Sequence, residues 1–256
     1  LTGWFANKPL PKSLLKCLLN GYCNYFKVNR SELNKPVDHY ISINDFFTRE
    51  IPTEKRPISP IENHIISPVD GTFIDEGELA PDTVLTGKGQ PYNITSLIGS
   101  KEDATSFEKG HFYTFYLSPA DGHRIMAPFS GNITKIRHIP GPLFPVKSPY
   151  PEAHHVFTKN ERLITYLDTP NTSFIVIKIG AFNVGSIHSI SPKVQPSNQG
   201  QKKVTTTLIN HPITKGDHLG TFHFGSSVIL LCNHPLKETH LKETGKILYG
   251  QTIGTL

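Results

Sequence analysis

Twenty-one prolines and twenty glycines are spread along the whole chain, and they cut its apolar residues into short stretches. Long helices do not survive punctuation at that density, whereas strands of roughly four to eight residues joined by turns do. No run approaches the roughly 18 consecutive apolar residues that span a bilayer, and the first residues lack the layout of a secretory signal. Any membrane association is therefore expected to be peripheral. A chain of 256 residues is long enough for one large domain, or a domain with an appendage, around a substantial core. Cys17, Cys23 and Cys232 have no zinc-ligand spacing, and their odd number argues against a disulfide-built secreted fold. A reducing compartment is the expectation.

Residues 10–28 are the exception to the punctuation. At 100° per residue, Leu10, Leu14, Leu15, Leu18, Leu19, Tyr22, Tyr25 and Phe26 fill about half of a helix circumference, with Lys12, Lys16 and Lys27 on the other side. Such a basic amphipathic helix can lie in the plane of an anionic membrane, with Leu14 and Leu18 inserted and Lys12 and Lys16 near the headgroups. The same apolar face can equally cover the protein's own core. The formal charge of +5 and the pI near 9.0 fit an anionic partner, but charge alone does not choose among phospholipid, nucleic acid and phosphorylated ligand.

A second helical piece is expected at Ser42, which has capping-box spacing to Asp45 ahead of Phe46 and Phe47, and Pro52, Pro57 and Pro60 end the helical region. From about Ile65 the pattern turns to strands, including 112–117, 133–139, 163–167, 174–179 and 204–209. Helices first and strands afterwards make an α+β chain. The expected division is a helical segment over 1–60 and a β-rich domain over 61–256. Pro68-Val-Asp-Gly71 and Pro128-Phe-Ser-Gly131 share a Pro-x-x-Gly step into a strand, as in the turns of biotinyl and lipoyl carrier domains. That likeness suggests a barrel-sandwich of short strands. A carrier function is not expected, because no symmetrically placed hairpin lysine is present.

Three separated segments carry chemistry-bearing residues. Ser67-Pro-Val-Asp-Gly71 reads in isolation as an Asp-Gly turn around Asp70. The segment 116–128 contains His123 and Arg124, which alone would pass for polar residues at a strand entrance. Residues 218–232 run as two strand-like halves interrupted by Gly225 and Ser226, the pattern of a bulge or a close backbone approach.

Taken together and in order, these segments resemble phosphatidylserine decarboxylases of the compact bacterial type over nearly the whole chain. The likeness also includes the amphipathic helix, Asn44-Asp-Phe-Phe-Thr-Arg49, Pro140-Gly-Pro-Leu-Phe144, Asn160-Glu-Arg162 and Val184-Gly-Ser186. The resemblance implies a proenzyme in which the Ser226 hydroxyl attacks the Gly225 carbonyl and the chain is cut between them. Ser226 then becomes a pyruvoyl group, the cofactor, and no metal is implied. That group would condense with the amine of phosphatidylserine and take up the electrons released with carbon dioxide, giving phosphatidylethanolamine. By the same resemblance Asp70 orients the self-cleavage base, and His123 donates the proton in decarboxylation. The implied partners are phosphatidylserine and an anionic membrane surface at the cytoplasmic face of a bacterial cell membrane, with no nucleic acid and with room for a homodimer.

One departure from the family pattern matters most. Where the family reads His-Arg-x-His, this chain reads His123-Arg-Ile-Met126, and a thioether takes no proton from serine. His123 is an awkward substitute because an offset of three on a strand turns it to the opposite face. His111 and His223 qualify only if the fold brings them close. The chain is therefore expected to mature slowly or to stay uncleaved. Smaller departures are Phe224, Ser227 and Gly122, the last replacing a frequent tyrosine. A noncatalytic phospholipid-binding homologue is the alternative, and a serine hydrolase is weaker because no Gly-x-Ser-x-Gly elbow is present.

Overall fold

The computed structural model describes residues 6–79, 84–87, 90–146, 155–182, 186–223, 226–241 and 243–256, with 84–87, 90–92 and 226 as backbone alone. Helix α1, Lys12–Phe26, is followed by the short helix α2, Ile43–Phe47. Ser42 caps α2 as its spacing predicts, its Oγ accepting from the Asp45 amide at 3.0 Å. The Asp45 carboxylate reaches back to the amide of Ile41 at 3.0 Å, one residue short of the position the box anticipates.

Strands follow: β1 His64–Ile66, β2 Gly71–Glu78, β3 Val84–Gly87 and β4 Gln90–Asn93. Two short helices, α3 Ile94–Ile98 and α4 Lys101–Thr105, lead into β5 His111–Leu117, β6 Arg124–Met126 and β7 Gly131–Ile139. After α5, Val156–Lys159, come β8 Arg162–Asp168, β9 Ser173–Ile179, β10 Ser186–Ser189, β11 Thr205–Ile213 and β12 His218–His223. The chain ends with β13 Ser226–Cys232, β14 Glu238–Thr239, β15 Gly245–Ile247 and β16 Thr252–Thr255. The expected α+β order is the observed one.

Eight strands pair antiparallel in the order β11-β7-β8-β9-β13-β5-β2-β15, and a second sheet, β10-β12-β6, packs over one face of them. Ile125, Ile187, Leu219 and Phe222 of the small sheet share a core with Phe115, Leu163, Val176 and Val228 of the large one. The opposite face is covered by α3 and α4 through Leu97, Ile98 and Ala104. Cover on both sides explains why β9 and β13 read as continuous apolar runs rather than alternating ones. β11 is an edge of the large sheet, and it is mostly exposed and carries Pro212, which cannot donate to a further strand. Among the described residues the packing is a sandwich, and none of the sheets closes into a barrel.

Helix α1 divides its apolar arc. Leu15, Leu19 and Cys23 are buried against Val28, Tyr40 and Phe46, which satisfies the core reading. Leu14, Leu18 and Tyr25 remain 49%, 43% and 80% exposed along a neighbouring stripe. Lys16 forms an exposed ion pair with Asp38 at 3.3 Å. Among the described residues no helix is long and apolar enough to cross a membrane.

Candidate active site

The three sequence segments meet at one end of β5. Ser226 opens β13 and pairs with Leu117, the last residue of β5. On the other side of β5, Thr72 of β2 pairs with Tyr116, which brings Gly71, and Asp70 before it, to the same end of the sheet. Two strand spacings, roughly 10 Å, separate the two flanking backbones. β6 arrives from the small sheet by pairing with β12, placing Met126 opposite His218 and Arg124 opposite Thr221.

Residues 218–232 were expected to form one interrupted strand, but they serve two sheets. His218–His223 belongs to the small sheet and Ser226–Cys232 to the large one. The chain therefore changes sheets between His223 and Ser226. The expected bulge at Gly225, together with Phe224, lies outside the described residues.

Asp70 is buried, and its carboxylate is fully engaged. Arg56 donates Nε to Oδ1 at 2.9 Å and Nη2 to Oδ2 at 2.8 Å, and the Tyr249 amide adds a bond to Oδ1 at 2.9 Å. The same Arg56 Nη2 also reaches Glu32 Oε2 at 2.8 Å. A bidentate arginine is the strongest neutralisation that a carboxylate finds in a protein interior. Gly122 lies beside it: a Cβ there would stand 3.2 Å from Asp70 Oδ2 and 2.9 Å from Ile51 Cδ1. The tyrosine frequent at this position in the family would have to displace one of them. Met126 completes this wall by packing with Ile51 and Tyr249 in a small apolar cluster.

His123 is fully buried rather than a polar residue at a strand entrance. Its ring lies against that of Phe47 of α2, 3.8 Å between centroids and tilted by 36°, and its Nδ1 lies 3.0 Å from the Asp121 carbonyl. A carbonyl only accepts, so Nδ1 carries the hydrogen and Nε2 is left with a lone pair. Among the described residues that Nε2 has no partner. Burial, reinforced by the nearby Arg49, pushes the imidazole pKa down to about 3, so the ring is neutral. Arg49 in turn holds the 118–121 turn by donating Nη2 to the Ala120 carbonyl at 2.7 Å.

The other histidines are sorted by the strands. His111 pairs with Cys232, six residue pairs from the Ser226 end, and bonds Glu76 Oε2 at 2.8 Å. At about 3.3 Å per residue it stands some 20 Å from the site, which removes it as a base. His223 ends β12 beside the site, with Nδ1 2.9 Å from Asn44 Oδ1 and its ring 4.1 Å from that of His188.

Three contributors carry no motif. Arg56 stands in a proline-rich connection with nothing to mark it, and Asn44 lies inside a matched segment without a role of its own. Lys178 is a fully buried lysine on β9, opposite Val228 of β13, with its amine bonded to Thr165 Oγ1. Burial pushes its pKa down to about 7. A charge inside the apolar run 174–179 was the available signal for it.

Comparison with known proteins agrees with this assembly. The family described as phosphatidylserine decarboxylase matches residues 43–255. A phosphatidylserine decarboxylase proenzyme of Brevibacillus brevis is 34% identical over 243 residues, 91% of this chain and 86% of the relative. Proenzymes of the same description from Myxococcus xanthus and Francisella tularensis subsp. holarctica are 34% and 37% identical, covering 100% and 88% of this chain and 92% and 79% of the relatives. The chain belongs to the phosphatidylserine decarboxylase family.

Proposed function

We propose that this chain is a phosphatidylserine decarboxylase proenzyme that forms phosphatidylethanolamine and carbon dioxide with a pyruvoyl group made from Ser226. The observation that carries the reading is the unpartnered, fully buried Nε2 of His123, a residue that follows by six the Leu117 paired with Ser226 at the start of β13. A buried polar atom without a partner is costly, and a reacting group that supplies the missing partner accounts for it. The residues present fit a pyruvoyl group: a serine heads a strand, a preceding glycine supplies the scissile carbonyl, and a neutral imidazole lies nearby. When formed, that group supplies an electrophilic carbonyl and an electron sink. His123 exchanges the proton. Its depressed pKa means that a proton taken up at Nε2 is held weakly and passed on readily. Asp70, fixed by Arg56, is the carboxylate of the self-cleavage site.

Maturation is slow because Met126 occupies the position of the usual base. The test is Met126→His followed by intact-mass analysis of the purified chain. Faster conversion into fragments 1–225 and 226–256, the smaller carrying pyruvoyl, is the expected result. A wild-type chain already fully cleaved on isolation would overturn slow maturation, and an uncleaved Met126→His chain would favour the noncatalytic lipid-binding reading.

The segment 1–60 associates with the cytoplasmic face of the membrane, and 61–256 carries the reacting groups, with Arg56 and Phe47 of the first segment set against Asp70 and His123. The exposure of Leu14, Leu18 and Tyr25 on one stripe of α1 supports this. Lys12 and Lys16 add attraction to anionic headgroups, with Lys16 shared with Asp38. Flotation with phosphatidylserine vesicles tests it: Leu14→Asp/Leu18→Asp should abolish binding, and unchanged flotation would remove α1 as the contact.

A further inference from the structure

His123 keeps its Nε2 lone pair only while Nδ1 carries the hydrogen, and the acceptor for that hydrogen is the Asp121 carbonyl at 3.0 Å. A neutral imidazole left to itself favours the hydrogen on Nε2. The tautomer of His123 is therefore fixed only as well as the Asp121 carbonyl is.

That carbonyl closes a four-residue turn, 118–121, in which every carbonyl is engaged. Ser118 O accepts from the Asp121 amide at 3.0 Å, and Pro119 O from the Tyr22 hydroxyl of α1 at 2.7 Å. Arg49, two residues past α2, takes the other two: its Nη2 donates to Ala120 O at 2.7 Å and to Asp121 O at 3.3 Å. The Asp121 carboxylate braces the turn from within, Oδ2 accepting from the amide and the hydroxyl of Ser118 at 2.8 Å each, while Oδ1 pairs with Lys246 of β15. Of these ties, only that of Arg49 reaches the carbonyl that holds His123.

A guanidinium is a costly strap at this place. Arg49 is buried, and among the described residues no carboxylate pairs with it. Its other contacts are the Phe46 carbonyl at 3.4 Å and the Phe46 ring, 5.0 Å from the guanidinium carbon. A buried cation without a counter-charge costs stability, whereas a neutral donor would hold a carbonyl without that cost. The charge has a second effect: after burial, Arg49 is the largest cause that keeps the His123 imidazole unprotonated. One cation thus serves both conditions, a hydrogen on Nδ1 and none on Nε2.

We infer that Arg49 is a positioning residue for His123: by holding the Ala120 and Asp121 carbonyls it fixes the Nδ1–H tautomer and leaves Nε2 as a lone pair. Its bearing on the reaction rests on His123 as the proton-exchanging residue.

Nitrogen NMR of the full chain with isotope-labelled histidine tests the assignment, the His123 signals being those absent from His123→Gln. At neutral pH the wild type should carry the hydrogen on Nδ1 and leave Nε2 bare. Arg49→Met should draw the two nitrogen shifts together, as the tautomers exchange, and should raise the pH at which the ring takes a proton. Arg49→Lys, which keeps a donor and the charge, should restore both properties. Tyr22→Phe frees only the Pro119 carbonyl and should change neither. If Arg49→Met does not fold, Arg49→Gln, whose amide ends short of the carbonyls, takes its place. A wild-type hydrogen on Nε2, an Arg49→Met spectrum identical to that of the wild type, or tautomers mixed as fully by Tyr22→Phe would each overturn the assignment. So would failure of both Arg49→Met and Arg49→Gln to fold, since Arg49 would then be structural. Per pyruvoyl-bearing chain, Arg49→Met should lower kcat roughly 10- to 100-fold with KM for phosphatidylserine vesicles unchanged, and an unchanged kcat would overturn the bearing of Arg49 on the reaction. A His123→Gln chain that decarboxylates at the wild-type rate would instead overturn His123 as the proton-exchanging residue, whatever the spectra show.

Discussion

Asp70 and His123 are buried on either side of Gly122, and their polar atoms are treated in opposite ways. Asp70 receives three donors, two from Arg56 and one from the Tyr249 amide. His123 spends Nδ1 on a carbonyl and leaves Nε2 without a partner. The carboxylate is finished in the folded chain, so its neighbours fix its place and are part of what holds the fold. The imidazole is unfinished, which costs stability and marks the point where something else must arrive. Of these two buried ionisable groups, one is thus paired by the fold itself and the other keeps a polar atom open.

Removing the finishing partner breaks the comparison most directly. Arg56→Met leaves Asp70 buried beside an apolar side chain, and breaking a buried pair from one side costs about 3–5 kcal/mol. Part of that is the Glu32 contact at 2.8 Å, which the same guanidinium holds. Urea denaturation should register the loss as a lower midpoint with an unchanged slope. A loss under about 1 kcal/mol would mean that Asp70 finds other donors and is less finished than its geometry suggests.

The contrast also measures what the sequence discloses. The strands were legible because β5, β7, β8 and β9 are short apolar runs between turn residues, and their observed spans fall on the expected ones within a few positions. The Ser42 cap was legible because it is a local rule. The split of α1 was not, since Leu14 and Leu15 look alike until Tyr40 and Phe46 choose one of them. Nor was the change of sheet before Ser226, because both halves look like strand and their partners lie far away in sequence. Asp70 and His123 were legible only through the order of family segments, for each alone reads as a turn or a polar strand end. Arg56 was invisible, because its role exists only where Glu32, Asp70 and Tyr249 converge.

The smaller test sharpens the unfinished side. The unfolded imidazole titrates near 6.5, whereas burial, then Arg49, hold that of His123 at about 3. Between these values the unfolded chain binds a proton that the folded chain refuses, so stability rises with pH across the window. The contribution is fully present above pH 6.5 and is lost as the pH falls toward 3. From pH 7 to pH 5 it amounts to about 2 kcal/mol for this one group. His188, His218 and His223 are depressed in the same direction and add to the slope, so the wild-type curve alone does not isolate His123. His123→Phe does: it keeps an aromatic ring against Phe47 and removes both the proton site and the unpartnered nitrogen. Its stability at pH 7 should equal or slightly exceed that of the wild type, and its loss between pH 7 and pH 5 should be smaller by about 2 kcal/mol. Parallel curves for the two chains would show that His123 is protonated, or finds a partner, inside the fold. It would then be as finished as Asp70.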